Sequence, residues 1–176
     1  MAETPLSKRL QSADEAMLRE ILREAEVYLD AQLTAAIAAD QRAYAFSGMI
    51  AAASVLLVGA SYALIEAATP SPLLAWCSAL IAVALFVAAW MAVISARSTD
   101  FEFAGNQPCQ WANDIEAGQT LHESLAEQCE HYDSMATTNR NIMDANSKLF
   151  NAAVNIALGA VGVGGLGFIA WMAERV

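Results

Sequence analysis

Charged residues are scarce in this sequence, and cations are scarcer than anions. Only 16% of the 176 residues are charged, and 9 Lys and Arg stand against 19 Asp and Glu, which gives a formal net charge of -10. Binding to nucleic acid needs a basic patch that neutralises phosphates, so this balance argues against a nucleic-acid partner. It also argues against broad adhesion to anionic lipid headgroups.

Cysteine and histidine are also few, which bears on disulfides and metal sites. Cys77, Cys109 and Cys129 are odd in number and far apart, so they do not form a disulfide framework. Cys109 and Cys129 would pair only if their segment faced an oxidising compartment. Together with His122 and His131 these cysteines match no zinc-ligand spacing, so we expect no metal site.

The patterns that are typical of enzymes are missing as well. No strand is predicted, so no Gly-rich phosphate loop follows one, and no pair of carboxylates lies inside an apolar segment. Cys129 and His131 fall on different faces of a helix, which disfavours a thiolate activated by that histidine. We therefore expect no catalytic residues, no cofactor and no enzymatic activity. The opening residues lack an apolar core, so no cleavable signal peptide is expected.

Long apolar segments are what the sequence has in abundance. Hydrophobic residues make up 57% of the chain, and residues 43–66, 72–96 and 149–173 contain no charged residue except Glu66. Each segment is long enough for the ~20 residues that a helix needs to cross a bilayer. The first two segments form a hairpin around a Pro-containing turn. The sequence thus predicts an all-α integral membrane protein with three transmembrane helices.

Two amphipathic helices are predicted outside these segments. After a flexible lead at 1–11, the first occupies 12–42 and begins at a capping box made by Ser12 and Glu15. The second occupies 114–148. The apolar stripe of the first helix consists of Leu18, Leu22, Ala25, Leu29, Leu33 and Ala36. That of the second consists of Leu121, Leu125, Tyr132, Met135, Ile142 and Leu149. We predict that the two stripes pack on each other as a parallel, coiled-coil stalk in the cytoplasm.

The start of the second amphipathic helix is open between two capping boxes. Asn113 with Glu116, and Thr120 with Glu123, both have the spacing in which a capping side chain and an acidic side chain satisfy each other's backbone N–H groups. Gly118 lies between the two pairs and favours the later start. Both starts remain candidates at the level of sequence.

An aromatic loop is predicted at 97–113, where Gly, Asn and Pro occur together in a turn-forming composition. Phe101, Phe103 and Trp111 lie within it. These rings either pin the loop to the membrane surface or to the helices, or they bind a protein partner.

The distribution of cations predicts the orientation in the membrane. Five precede the first apolar segment: Lys8, Arg9, Arg19, Arg23 and Arg42. None lies in the hairpin turn, and the second segment is followed by Arg97, Arg140 and Lys148. Cations of this kind stay on the cytoplasmic side, so we predict a multi-pass protein of the bacterial inner membrane with a cytoplasmic amino terminus. Aromatic residues placed to lie at the membrane interfaces are Tyr44, Tyr62, Trp76 and Trp171.

A polar stripe runs along the second amphipathic helix and into the third apolar segment. Its members are Asn141, Lys148, Asn151, Asn155, Gly159 and Gly162. Asn155 falls within hydrocarbon, where an amide that faces lipid costs several kcal/mol, so it should face protein or water. The glycines let another backbone come close. The stripe is either a packing seam in an oligomer or the lining of a pore, with Asn141, Lys148 and Asn151 at its cytoplasmic mouth.

An amphipathic helix precedes the entry Asp40-Gln41-Arg42-Ala43, a tight two-span hairpin follows it, and a later helix carries Lys148 before another apolar segment. This order of elements resembles that of small bacterial antiphage membrane effectors of the Pycsar transmembrane and CBASS two-transmembrane type. The resemblance implies a nucleotide-triggered oligomer that damages the inner membrane. Two hypotheses follow for function: a self-assembling, pore-forming or membrane-disrupting effector, and a non-catalytic scaffold or accessory subunit of a larger membrane complex.

Overall fold

The structure is a computed structural model that describes residues 4–97 and 100–173. It contains, in chain order, helices α1 (Leu6–Leu10), α2 (Glu15–Glu66), α3 (Pro72–Ser95), α4 (Gln110–Glu116) and α5 (Leu121–Ala173). Of the described residues 84% are helical, and none of them forms a strand. The predicted all-α class is therefore confirmed. Helices α2 and α5 are each continuous from an amphipathic segment into an apolar one.

The first long helix is capped by a different residue from the one predicted. The carboxylate of Asp14 accepts a hydrogen bond from the N–H of Met17 at 2.7 Å, so Asp14 is the N-cap of α2. The prediction that Ser12 caps this helix is wrong. The Ser12 hydroxyl donates instead to the carbonyl of Arg9 at 3.5 Å, because residues 11–13 turn the chain between α1 and α2.

Helix α1 lies within the segment that the sequence predicted to be a flexible lead. A helix of five residues is not stable by itself, because its nucleation is unfavourable. Here the N–H of Ser7, in the first turn of α1, donates to a carboxylate oxygen of Glu130 on α5 at 2.9 Å. An acceptor with a negative charge at a helix N-terminus is favourable. A tertiary contact therefore orders this segment.

The later of the two predicted capping boxes begins α5. The N–H of Thr120 donates to the Glu123 carboxylate at 2.8 Å, and the N–H of Glu123 donates to the Thr120 hydroxyl at 3.3 Å. Gly118 has a φ of 72°, a left-handed conformation that glycine adopts readily, and it ends α4. Consequently the segment predicted as a helix over 114–148 is divided, and its first residues belong to α4.

The chain forms two compact units, each with its own core. The stalk unit comprises the described parts of Met1–Ile37 and Thr99–Met143. The apolar unit comprises the described parts of Ala38–Ser98 and Asp144–Val176. Helices α2 and α5 contribute to both units.

The core of the stalk unit joins the two predicted apolar stripes. Leu18 of α2 packs with Leu125 of α5, and Leu29 packs with Tyr132 and Met135. The contacts advance in the same direction along both helices, so the helices run parallel within this unit. Burial of these large side chains removes apolar surface from water and stabilises the pair.

The apolar unit contains three helical segments that are long and apolar enough to cross a membrane, in α2, α3 and α5. Its core is formed by Leu85 and Ala88 of α3 together with Ala157 of α5. Large apolar side chains lie on the outside instead, with Leu56 exposed by 74% and Leu166 by 71%. An exterior of this kind is typical of a protein surrounded by hydrocarbon rather than by water.

Candidate functional site

A serine–alanine seam joins the two helices of the hairpin. Three α2 hydroxyls donate to α3 carbonyls: Ser47 to Ala89 at 3.2 Å, Ser54 to Ala82 at 2.7 Å and Ser61 to Ala75 at 2.7 Å. As the serines advance by seven residues along α2, the alanines retreat by seven along α3, so the helices are antiparallel in constant register. A period of seven is typical of helices that wind around each other as a left-handed coiled coil. Small side chains allow the two backbones to approach closely.

Sequence reasoning missed this seam although its signal is present. Serine recurs every seven residues in the first apolar segment, and alanine recurs every seven in the second, from Ala75 to Ala96. Tyr44, predicted as an interface anchor, extends the seam, because its hydroxyl donates to the carbonyl of Ala96 at 2.9 Å. Cys77 is exposed on α3.

Helix α5 packs on the hairpin through a second set of small residues. Ala153 and Ala157 are buried, and a Cβ added at Gly164 would lie 2.9 Å from Cδ1 of Ile81. The rings of Phe46 and Phe150 meet edge to face with their centroids 5.5 Å apart. These α5 residues recur at steps of three, four and seven, so they define one face of the helix.

The predicted polar stripe lies on the other face of α5. Asn155 is two positions from Ala157, which places it about 200° around the helix, because successive residues are ~100° apart. All six stripe residues are exposed: Asn141, Lys148, Asn151, Asn155, Gly159 and Gly162. The structure thus brings them together along one line of the helix. Among the described residues, none donates a hydrogen bond to the amides of Asn151 and Asn155 or accepts one from them.

The predicted aromatic anchors and loop residues differ in exposure. Tyr62 and Trp76 are exposed, whereas the Trp171 ring is half-buried and stacks on Phe168. Of the three rings predicted in the loop, Phe101 is half-buried and Phe103 is 68% exposed. Trp111 is half-buried and lies on α4, so the predicted loop over 97–113 ends where α4 begins at Gln110.

The stalk unit contains buried polar groups that sequence reasoning also missed. Asn139 has no exposed surface, and its amide bonds both to Gln32 and to the backbone of Glu102. Burial raises the pKa of the Cys129 thiol, which keeps it protonated and unreactive. Burial likewise raises the pKa of the Tyr132 hydroxyl, which accepts a hydrogen bond from Gly105.

These observations define an all-helical protein with three helices that could cross a membrane. The described residues include no group of three or more His, Cys, Asp or Glu placed to hold a metal ion, and its three cysteines, Cys77, Cys109 and Cys129, are free. Comparisons with protein-family models, with curated proteins and with solved structures found no match.

Proposed function

We propose that this protein spans a membrane and assembles with itself through the polar stripe of α5. The supporting observation is that Asn151 and Asn155 are exposed and have no hydrogen-bond partner among the described residues, although they lie in an apolar helix. In hydrocarbon such an amide costs several kcal/mol, and the amide of a second copy supplies the missing partner. Gly159 and Gly162 continue the same line and let the second backbone approach.

The proposed orientation places the amino terminus, the stalk unit and the aromatic loop in the cytoplasm of a bacterial cell. The excess of Lys and Arg in these parts supports this orientation, since the hairpin turn has neither. Cys109 is exposed in the loop and provides a test. In intact spheroplasts of a Cys77→Ser variant, a membrane-impermeant maleimide should label Cys109 only after lysis. Labelling before lysis would place the loop outside.

Two activities fit an assembly of this kind. In the first, water rather than a second copy's amide is the partner of the stripe: several copies arrange it around a central path, and Asn141, Lys148 and Asn151 line its cytoplasmic mouth. The protein is then a pore-forming or membrane-disrupting effector, as the resemblance in element order implies. In the second, the oligomer is a scaffold or accessory subunit without transport. The exposed ring of Phe103 supports this alternative, because it offers a contact for a protein partner.

The mass of the purified protein in mild detergent tests self-assembly. We expect a defined oligomer for the natural sequence and a smaller species for Asn155→Leu, which removes the amide but keeps the helix apolar. Val161→Leu is the matched control, because Val161 is exposed on α5 outside the stripe. A natural-sequence monomer would contradict self-assembly. An oligomer that Asn155→Leu leaves unchanged would contradict the packing seam and favour the pore lining, where water satisfies the amide.

Dye release from lipid vesicles separates the two activities. Vesicles that contain the assembled protein should leak if the stripe lines a pore, and a stripe variant that still assembles should alter the rate or size selectivity of leakage. A scaffold should leave the vesicles sealed in its assembled state and co-purify with a larger partner through Phe103. Phe103→Ala should then abolish that co-purification and leave the oligomer intact.

A further inference from the structure

Residues 100–107, here called the strap, follow an irregular path beside α5 in the stalk unit. The side chain of Asn139 binds both backbone groups of one strap residue. Its Nδ2 donates to the carbonyl of Glu102 at 2.8 Å, and its Oδ1 accepts from the N–H of Glu102 at 2.9 Å. A single buried amide therefore binds the strap through main-chain groups that any residue would present.

Further contacts continue along the same face of α5. The N–H of Gly105 donates to the hydroxyl of Tyr132 at 3.0 Å, and the side chains of Asn106 and Gln128 bond to each other. As the strap advances from Glu102 to Asn106, its partners retreat along α5 from residue 139 to residue 128. The strap thus runs antiparallel to the helix, and side chains spaced by whole turns hold it at three points.

The α5 side chains that hold the strap are buried, but the strap itself is not. Asn139 and Tyr132 are buried at 0% and 3% exposure, whereas every strap residue is exposed or half-buried. Ala104 adds a small apolar contact to the core around Leu29 and Tyr132. Hydrogen bonds to buried groups of α5, together with partial burial of Phe101 and Ala104, therefore hold the strap in place.

Asn139, which binds the strap, also belongs to a buried hydrogen-bond network between α2 and α5. Nδ2 of Asn139 also donates to Oε1 of Gln32 at 3.3 Å, and Nε2 of Gln32 donates to the carbonyl of Ala136 at 3.1 Å. If the strap leaves, Asn139 loses two of its partners inside the core that joins α2 and α5. A buried amide without partners is strongly disfavoured, so this part of the helix pair must open to water or take up another partner.

We propose that the strap is a releasable lock on the stalk unit. With the strap bound, the amides between α2 and α5 are satisfied and the pair is closed. With the strap released, the pair opens around Asn139 and Gln32 and exposes groups that bind a backbone. The bound and released states exclude each other, because the groups of Asn139 that bond to Glu102 cannot bond to another partner at the same time. This inference goes beyond the proposed function and stands without it.

Hydrogen–deuterium exchange with single-amide resolution tests the lock on the full chain in detergent. In the natural sequence the N–H groups of Glu102 and Gly105 should exchange slowly. Asn139→Ala should accelerate both by about tenfold or more, because exchange reports the population of the open state. Tyr132→Phe removes the acceptor for Gly105 and the 3.4 Å hydrogen bond from the Tyr132 hydroxyl to Glu26, but no group that binds Glu102, yet it should also accelerate exchange at Glu102. The backbone amides of α2 around Gln32 should also exchange faster in both variants.

Thr138→Ala is the matched control, because Thr138 is exposed beside Asn139 and its hydroxyl bonds only within α5, to the carbonyl of Ser134 at 3.1 Å. This variant should leave exchange in the strap unchanged. The proposal is overturned if each variant affects only the amide whose partner it removes, or if the strap exchanges rapidly in the natural sequence. If Asn139→Ala does not fold, the response of Glu102 to Tyr132→Phe decides the question.

Discussion

The same two helices, α2 and α5, use different residues in the two units. In the stalk unit they present large side chains, with Leu29 against Tyr132 and Met135. In the apolar unit α5 presents the small Ala153 and Ala157, alongside the ring pair of Phe46 and Phe150. In water the removal of large apolar side chains from solvent drives helices together, whereas hydrocarbon surroundings provide no such force. Close backbone approach and hydrogen bonds then take over, and these require small residues.

The polar side chains of the two units also differ in what they bond to. The serine hydroxyls of the apolar unit donate to carbonyls of a helical backbone that is already hydrogen-bonded, so each adds one bond to a complete structure. Asn139 in the stalk unit satisfies backbone groups of the strap, which is not helical. Loss of a serine bond should therefore matter less than loss of a large stalk side chain or of Asn139.

The largest effect that sharpens this comparison is expected for Leu29→Ala. Leu29 is buried in the stalk core, and truncation of a buried leucine costs about 2–5 kcal/mol through lost burial and the cavity left behind. Denaturant unfolding followed by circular dichroism should show a loss of this size. Val27→Ala, at an exposed α2 position, should change stability little. Equal effects of the two substitutions would mean that burial of large side chains does not hold the stalk unit together.

A smaller effect is expected for Ser54→Ala in the apolar unit. The substitution removes the hydrogen bond from the Ser54 hydroxyl to Ala82 but keeps the small side chain, so it should cost roughly 0.6 kcal/mol and at most about 2. Unfolding in mixed detergent micelles measures it. Ser147→Ala, at an exposed position of α5, is the control. A cost as large as that of Leu29→Ala would break the comparison, because the seam would then depend on the hydroxyl rather than on close packing.

The smallest effect concerns pH, and it should be confined to the stalk unit. Hydrogen bonds from the hydroxyl and the N–H of Ser7 lower the pKa of Glu130 below its ordinary value. A lowered pKa in the folded state means that the contact contributes fully above the ordinary glutamate pKa and is lost as the pH falls through the lowered one. The contact between α1 and Glu130 should therefore weaken in acid, while Leu10 stays packed on the stalk core.

The chemical shift of the Ser7 amide, followed from neutral to acidic pH, measures the weakening of this contact. Glu130→Gln should leave the amide without a transition that follows the carboxyl group. Contacts of the apolar unit such as Ser54 with Ala82 involve no ionisable side chain, so their amide signals should stay constant over the same range. A transition there at the same pH would show that titration is not specific to the stalk unit.

Local signals in the sequence allowed a good part of the fold to be predicted. The apolar segments and the spacing of Leu18 and Leu29 predicted three long apolar helices and the faces that pack in the stalk unit. Capping was less certain, because several residues able to cap stand close together. Asp14 rather than Ser12 caps α2, since α1 and the turn after it occupy the preceding residues. The line of the polar stripe was predictable from helical spacing, since that spacing is independent of what surrounds the helix.

The sequence by itself thus determined the long helices but not α1 and α4, and it determined which segments are apolar enough to cross a membrane and which residues share a helix face. These properties depend on residues a few positions apart, and the helical repeat relates them directly. Only the tertiary structure decided that Ser54 meets Ala82, that Asn139 holds Glu102, and that Asn155 faces away from the hairpin. Such pairings depend on the register between elements far apart in the chain, which is set by how whole helix surfaces fit together.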